Sequence, residues 1–167
     1  SSVGVPVWRA IGTSGQVLES TGGTPTWVTP GGSTSGWRLT HSTTQALTTG
    51  VYNNLNWNTE ELDTDNFHTT VSGSSQVIIR VAGTYIMGIN IRIASSAVDS
   101  VSLAIRDGTV TISENQRVPL LANDQLGIVG MQRFATSGTT LFGAVYPVSP
   151  NSVAGVITQF WGYRVGP

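Results

Sequence analysis

The ten residues Thr84-Tyr85-Ile86-Met87-Gly88-Ile89-Asn90-Ile91-Arg92-Ile93 decide the fold class. Tyr85, Met87, Ile89, Ile91 and Ile93 fall on one parity, and Thr84, Gly88, Asn90 and Arg92 on the other. Side chains alternate across a strand, so this period of two predicts a half-buried β-strand with its core face on the odd positions. Ile86 interrupts the polar parity. An apolar residue there indicates that something covers the second face as well.

The pattern repeats outward in both directions. Gln76 to Val81 precedes, with Ala82-Gly83 as the turn into the long strand. Val101, Leu103 and Ile105 then alternate with Ser102, Ala104 and Arg106, and the run ends at Asp107-Gly108. An Asp-Gly pair between strand-like residues predicts a tight hairpin whose two central residues take positive φ. Val118–Leu121, Gln125–Phe134, Thr140–Val148 and Val153–Val165 continue the series. No window holds a helical apolar period, and Gly, Ser and Thr punctuate the whole chain. Roughly eight to ten short strands at this spacing predict an all-β, two-sheet antiparallel β-sandwich of jelly-roll type.

Residues 1–34 read differently from 35–167. Gly12, Gly15, Gly22, Gly23, Gly31 and Gly32, with Pro6, Pro25 and Pro30, interrupt any long element. Trp8, Val17, Leu18, Trp27 and Val28 nevertheless supply apolar anchors that a disordered tail lacks. The expectation is a short Gly/Pro-rich N-terminal appendage, ordered by packing on something else, followed by one sandwich domain.

Composition excludes several classes of function. The 167 residues carry a formal charge of −1, and only 10% are charged. Binding to nucleic acid or to an anionic lipid surface calls for a basic patch, which this balance does not provide. All the basic residues are arginine, which suits interface ion pairs, although drift in genome composition explains the bias equally well. Cysteine is absent, so there is no disulfide framework, thiolate metal site or cysteine nucleophile. No apolar run is long enough for a transmembrane helix, and no leader is visible. A first residue of Ser rather than Met is expected of a processed chain or a fragment.

Two stretches resemble known families. Gly12-Thr13-Ser14-Gly15-Gln16-Val17-Leu18-Glu19-Ser20-Thr21-Gly22-Gly23-Thr24-Pro25-Thr26-Trp27 resembles a motif that recurs in bacteriophage tail-fibre and other virion proteins, often just before a C-terminal domain. Its Gly-Gly and Thr-Pro pairs set turns, and Val17, Leu18 and Trp27 give a two-strand unit its apolar surface. Such a unit is marginal alone and makes sense around a trimer axis. The second resemblance spans roughly residues 36–167. It is carried by Trp57, by Asp63-Thr64-Asp65-Asn66-Phe67-His68, by Ile78-Ile79-Arg80-Val81-Ala82-Gly83-Thr84-Tyr85, by Leu120-Leu121-Ala122-Asn123-Asp124-Gln125-Leu126, and by Phe160-Trp161-Gly162-Tyr163-Arg164. In this order the segments resemble the trimeric jelly roll of the tumour-necrosis-factor and complement globular-head superfamily. Asn123 stands where that pattern usually has Gly, and Asn tolerates the left-handed conformation such a turn needs. The resemblance implies a homotrimer in which Phe160, Trp161 and Tyr163, on an aromatic final strand, lie near the three-fold axis.

The candidate chemistry is sparse. His41 and His68 are the available neutral-pH bases, and neither stands in a zinc-protease spacing or beside a nucleophile elbow. A surface or satisfied histidine is the preferred reading of both. Glu60, Glu61, Asp63 and Asp65 concentrate charge. Asp63 and Asp65 present oxygens at alternating positions, as a calcium loop would, but the glycine and distal glutamate of an EF-hand loop are missing. Asp-Thr-Asp-Asn is equally good turn chemistry, with side chains closing on their own backbone. A glycosidase pair is disfavoured, because neighbouring acids on one turn rarely face each other across a bond. Tyr52 and Trp57, in Asn- and Thr-rich loop-like sequence, are the candidates for surface recognition.

The expectation is therefore a non-enzymatic virion protein of the phage particle surface, without cofactor or metal. It would be the trimeric knob of a fibre, adhering to a host-surface glycan or protein and joining other virion proteins through residues 1–34. The alternative is a capsid-decoration or head-fibre protein with a purely structural role. A carbohydrate-active enzyme is a third and weaker reading.

Overall fold

The computed structural model describes residues 13, 16–19, 25–28, 35–69, 74–94, 100–117, 124–148 and 151–167. The strand expected at Val118–Leu121, the turn at Asn123 and the anchor Trp8 lie outside these residues. The chain divides into two compact units, Ser1–Ser33 and Thr34–Pro167.

In the first unit, β1 (Val17–Glu19) pairs antiparallel with β2 (Thr26–Val28). The register sets Leu18 opposite Trp27, and both are exposed. β1 and β2 thus form a two-strand ribbon with Leu18 and Trp27 directly opposite each other, the position from which cross-strand side chains support an antiparallel ladder.

The second unit is all strand among the described residues. Its elements are β3 (Gly36–His41), β4 (Gln45–Leu47), β5 (Asn53–Asn54), β6 (Thr59–Asp63), β7 (Gln76–Ile78), β8 (Gly83–Ile93), β9 (Val101–Asp107), β10 (Val110–Arg117), β11 (Gln125–Phe134), β12 (Thr140–Pro147) and β13 (Asn151–Gly166). They form two antiparallel sheets. One runs β11-β8-β13-β3-β6, with β4 also paired to β13; the other runs β10-β9-β12-β5, with β7 also paired to β12. This is the two-sheet jelly-roll sandwich that the alternation predicts.

Period-two alternation builds the core directly. Tyr85, Met87, Ile89, Ile91 and Ile93 are all buried, as are Val101, Leu103 and Ile105 from the facing sheet. Trp37, Trp57, Phe67, Tyr85, Phe134 and Phe160 complete it as a connected aromatic cluster. Ring centroids lie 5.1 to 6.0 Å apart within the cluster, the separation at which tilted and edge-on aromatic pairs attract.

Two local expectations shift. The strand expected over Gln76–Val81 ends at Ile78, because Ile79 leaves the ladder to exchange backbone hydrogen bonds with the Gly138–Thr139 loop. The hairpin after β9 closes on Asp107 paired with Val110, so its central residues are Gly108 and Thr109 rather than Asp107 and Gly108. Gly108 alone of the two has positive φ, at 55°. Glycine first and a residue of negative φ second is the arrangement of a type II′ turn, which matches strand twist as a type I′ turn does.

Candidate functional site

One face of each sheet is the core; function must lie on the outer faces, the edges or the loops. The outer face of the six-stranded sheet is set by register. Across it, Met131 of β11 opposes Ile86 of β8, which opposes Tyr163 of β13, which opposes Gly36 of β3. In the next row Val129 opposes Gly88, then Trp161, then Arg38. A third row, Gly127, Asn90, Gln159 and Thr40, is polar. Two adjacent rows therefore present Met131, Ile86, Tyr163, Val129 and Trp161 side by side. Val129 is 62% exposed and Met131 67%, and Tyr163 and Val165 are also open to solvent.

These residues form a continuous apolar band, unlike the scattered single side chains normal on any surface. Arg38, Gln159, Trp161 and Tyr163 line a shallow depression in it. Trp161 and Tyr163 lie with ring centroids 6.0 Å apart. The Trp161 indole occupies the space that a side chain at position 88 would take, which explains glycine there. Arg38 is tied by its Nε to Glu61 Oε2 at 2.8 Å, an exposed pair across β3 and β6.

The sequence placed Phe160, Trp161 and Tyr163 together at an interface; the structure separates them. Trp161 and Tyr163 are on the outer face. Phe160, of opposite parity, is 0% exposed and packs on Trp37 and Trp57 inside the sandwich, so it is a core residue. Val129 and Met131 were missed. Their signal was present in β11, where both parities carry apolar residues, and Ile86 carried the same signal in β8.

The outer face of the five-stranded sheet carries a second cluster. Ala104 and Ala144 are opposed there and fully buried although they point away from the core. Tyr52, just before β5, lies above this sheet, and its hydroxyl donates to Glu114 Oε1 on β10 at 2.8 Å. The Arg106 guanidinium stacks on the Tyr52 ring, 4.3 Å from its centroid, and Tyr146 meets that ring edge-on at 5.3 Å. Burial, reinforced by the Glu114 carboxylate, raises the Tyr52 hydroxyl pKa above its ordinary value. The loop before Tyr52 is held by Asn53. Its Oδ1 accepts from the Thr48 amide at 2.7 Å, and its Nδ2 donates to the carbonyls of Thr48 and Val51 at 2.8 and 2.9 Å.

Tyr52 is therefore half-exposed and firmly positioned. Trp57, its companion in the sequence reading, is not a surface residue at all. It is 0% exposed in the aromatic core, which removes it as a receptor contact. Its loop-like surroundings hid that β5 and β6 bracket it within the sandwich.

The acidic segment resolves as turn chemistry. Asp63 accepts from the amides of Phe67 and His68 at 2.7 and 2.9 Å, one through each carboxylate oxygen. Asp65 accepts from the Ser35 hydroxyl, and Asn66 takes the left-handed conformation at φ 55°. Both candidate calcium ligands thus serve the chain itself, and no group of three or more potential metal ligands occurs among the described residues.

Both histidines are buried, so neither is the surface histidine that the sequence allowed. His68 is satisfied: Nδ1 lies 2.7 Å from Glu60 Oε1, and Nε2 is 3.1 Å from the Ser74 carbonyl. His41 donates from Nδ1 to the Asn56 carbonyl at 2.6 Å, while its Nε2 is buried without a hydrogen-bond partner among the described residues. Burial lowers the His41 pKa, and the Asn56 bond only partly opposes this.

No protein-family model matches the chain, and no curated protein matches it in sequence. Solved structures match its fold. The crystal structure of murine APRIL at pH 8.0 aligns with a TM-score of 0.59 at 10% identity, covering 78% of this chain and 98% of that one. Murine APRIL at pH 5.0 gives 0.56 at 9% identity, with the same coverage. The structure of Eiger TNF from S. frugiperda gives 0.53 at 8% identity, covering 78% and 92%. The chain therefore has the TNF-like jelly-roll fold.

Proposed function

We propose that this chain is the homotrimeric head of a bacteriophage virion fibre, non-enzymatic, displayed on the particle surface and mediating adhesion to the host. The observation that carries the reading is the apolar band of Val129, Met131, Ile86, Trp161 and Tyr163 on the outer face of a sheet whose inner face is already core. A second copy of this chain is its occupant. Complete burial of a side chain such as Val or Met is worth about 1.5–3 kcal/mol, so several together contribute usefully against the entropy of association. The count of three comes from the resemblance of residues 36–167 to the trimeric jelly-roll superfamily. The virion assignment comes from the motif at Gly12–Trp27, whose Leu18–Trp27 ribbon would join the head to a shaft or to other virion proteins. Three modest binding sites on one head act together through effective concentration, the mechanism by which a trimer adheres strongly.

Light scattering on the full chain tests the assembly: a trimer at micromolar concentration is expected, and a stable monomer overturns it. Host-cell adsorption tests the adhesion. A trimer that adsorbs to no host surface would be a decoration protein instead.

A further inference from the structure

We infer that β3 is a tension clamp: the sandwich resists force applied between the start of β3 and its far end, and yields readily to force applied between its two termini. The load path rests on the adhesion reading above, in which residues 1–33 join the domain to the particle. The clamp itself rests on strand order and register.

The order β11-β8-β13-β3-β6 places β3 inside its sheet, between two partners. All six of its residues pair antiparallel with β13, from Gly36 opposite Tyr163 to His41 opposite Thr158. Trp37, Arg38, Leu39 and Thr40 pair antiparallel with β6 as well. The hydrogen bonds of an antiparallel ladder lie perpendicular to its strands. Force along β3 therefore shears the bonds on both sides together, whereas force across the strands at one end opens them in turn.

Topology sets the direction of load. The chain enters β3 at the end of the sandwich where β13 finishes, with Gly166 opposite Thr84 near the start of β8. The far end is where β8 stops at Ile93, opposite Val153 of β13. Val148 lies there between β12 and β13, its amide donating to the Ser100 carbonyl just before β9 at 3.0 Å. A domain held through residues 1–33 and gripped at this far end is loaded along β3.

The entry point is reinforced on both sides. The Ser35 carbonyl accepts from the Arg164 amide of β13 at 2.9 Å, and the Ser35 hydroxyl donates to the Asp65 carboxylate, just after β6. The Gly36 amide donates to Thr64 Oγ1 at 2.9 Å, and its carbonyl accepts from the Thr64 amide at 3.1 Å. Next in line, the Trp37 indole lies over Gly162 of β13, where a β-carbon would stand 2.3 Å from the ring. The same ring packs on Phe67, Tyr85 and Phe160. Withdrawing β3 along its axis has to drag this ring off Gly162 and out of the aromatic core.

Optical-trap unfolding of the full chain in two geometries tests the clamp. The chain has no cysteine, so one introduced cysteine is a unique handle. The first geometry pulls between the amino terminus and Val148→Cys, an exposed position. The second pulls between the amino terminus and Pro167→Cys, so that force crosses from β3 to β13 and opens the Gly36–Tyr163 pair first. Both variants change an exposed residue of the same fold, so a difference in force reports its direction. Forced unfolding is governed by the barrier, and at one loading rate the force that unfolds residues 34–167 is expected to be about twofold higher or more in the first geometry. Equal forces, or a stronger second geometry, overturn the clamp; adsorption to host cells in that case leaves the adhesion reading standing. The expected difference in a chain that adsorbs to no host surface supports the clamp as a property of the fold and removes the adhesion.

Discussion

The Trp161 indole lies over Gly88 of the neighbouring strand so closely that a β-carbon at Gly88 would stand 2.3 Å from Cζ2 of the ring. Strand interiors normally disfavour glycine, and here the missing side chain is the seat of an aromatic one. Gly88→Ala should therefore force Trp161 off the sheet while leaving the core-facing residues Met87 and Ile89 in place. The expected result is association weakened by tenfold or more, about 1.4 kcal/mol, with an unchanged far-ultraviolet circular dichroism spectrum. Dilution series in light scattering measure the first and spectroscopy the second.

Met131 and Val129 offer a cleaner separation of assembly from folding. Both are exposed in the single chain, so Met131→Glu should change its stability by no more than about 0.5 kcal/mol. Buried between copies, the same carboxylate would lack a partner and cost several kcal/mol, on the order of what the assembly gains. A folded, soluble monomer is the expected outcome. A Met131→Glu chain that remains trimeric would place the interface elsewhere.

Trp57→Ala should cost about 3–5 kcal/mol of stability, the usual result of emptying an aromatic core position. Trp57→Phe should cost much less, since the Trp57 Nε1 is buried without a hydrogen-bond partner among the described residues and phenylalanine removes that donor. Urea unfolding of the two variants gives the comparison. A Trp57→Ala protein as stable as the parent would contradict the position of this ring.

His41 makes stability depend on pH with a definite sign. Its folded pKa lies below the ordinary 6.5 because burial disfavours the imidazolium. Below about pH 6.5 the unfolded chain takes up a proton that the folded chain refuses, so its stability falls with pH until the folded pKa is passed. The contribution is complete above that window and lost below it, with a slope of at most about 1.4 kcal/mol per pH unit. His41→Gln should flatten this part of a plot of denaturation midpoint against pH. An unchanged slope would assign the acid sensitivity to other groups.

Asp63 accepts two backbone amides, and removing it leaves both unpaired. Asp63→Ala should destabilise the protein by roughly 1–3 kcal/mol for each donor left buried and unsatisfied. Calcium or a chelator should leave the melting temperature of the parent unchanged, because the oxygens a metal would need are committed to Phe67 and His68. A calcium-dependent rise in melting temperature would restore the metal reading of this loop.

Much of the architecture was legible in the chain because strand alternation is a local property. Tyr85 to Ile93 declares its core face without reference to any other residue, and the limits of Gln125–Phe134 agree with those of β11. The same local logic had a limit at Trp57 and Phe160. Their types and neighbours suit a loop contact or an interface equally well, and only the packing of Phe160 on Trp37 and of Trp57 on Phe160 shows that they are core. The outer-sheet cluster was hidden more deeply, since Tyr52, Arg106, Glu114 and Tyr146 come from four separate segments.

The sequence by itself determined that the fold is an antiparallel sandwich, which residues of its long strands face inward, and that charge and cysteine chemistry are scarce. These follow from period and composition, which need no knowledge of partners. Only the tertiary structure decided which apolar residues remain outside and which polar ones meet. Register aligns Met131, Ile86 and Tyr163 from three strands into one row, and carries the Tyr52 hydroxyl to Glu114. Pairing between strands distant in the chain is the physical origin of both surfaces, and no single segment encodes it.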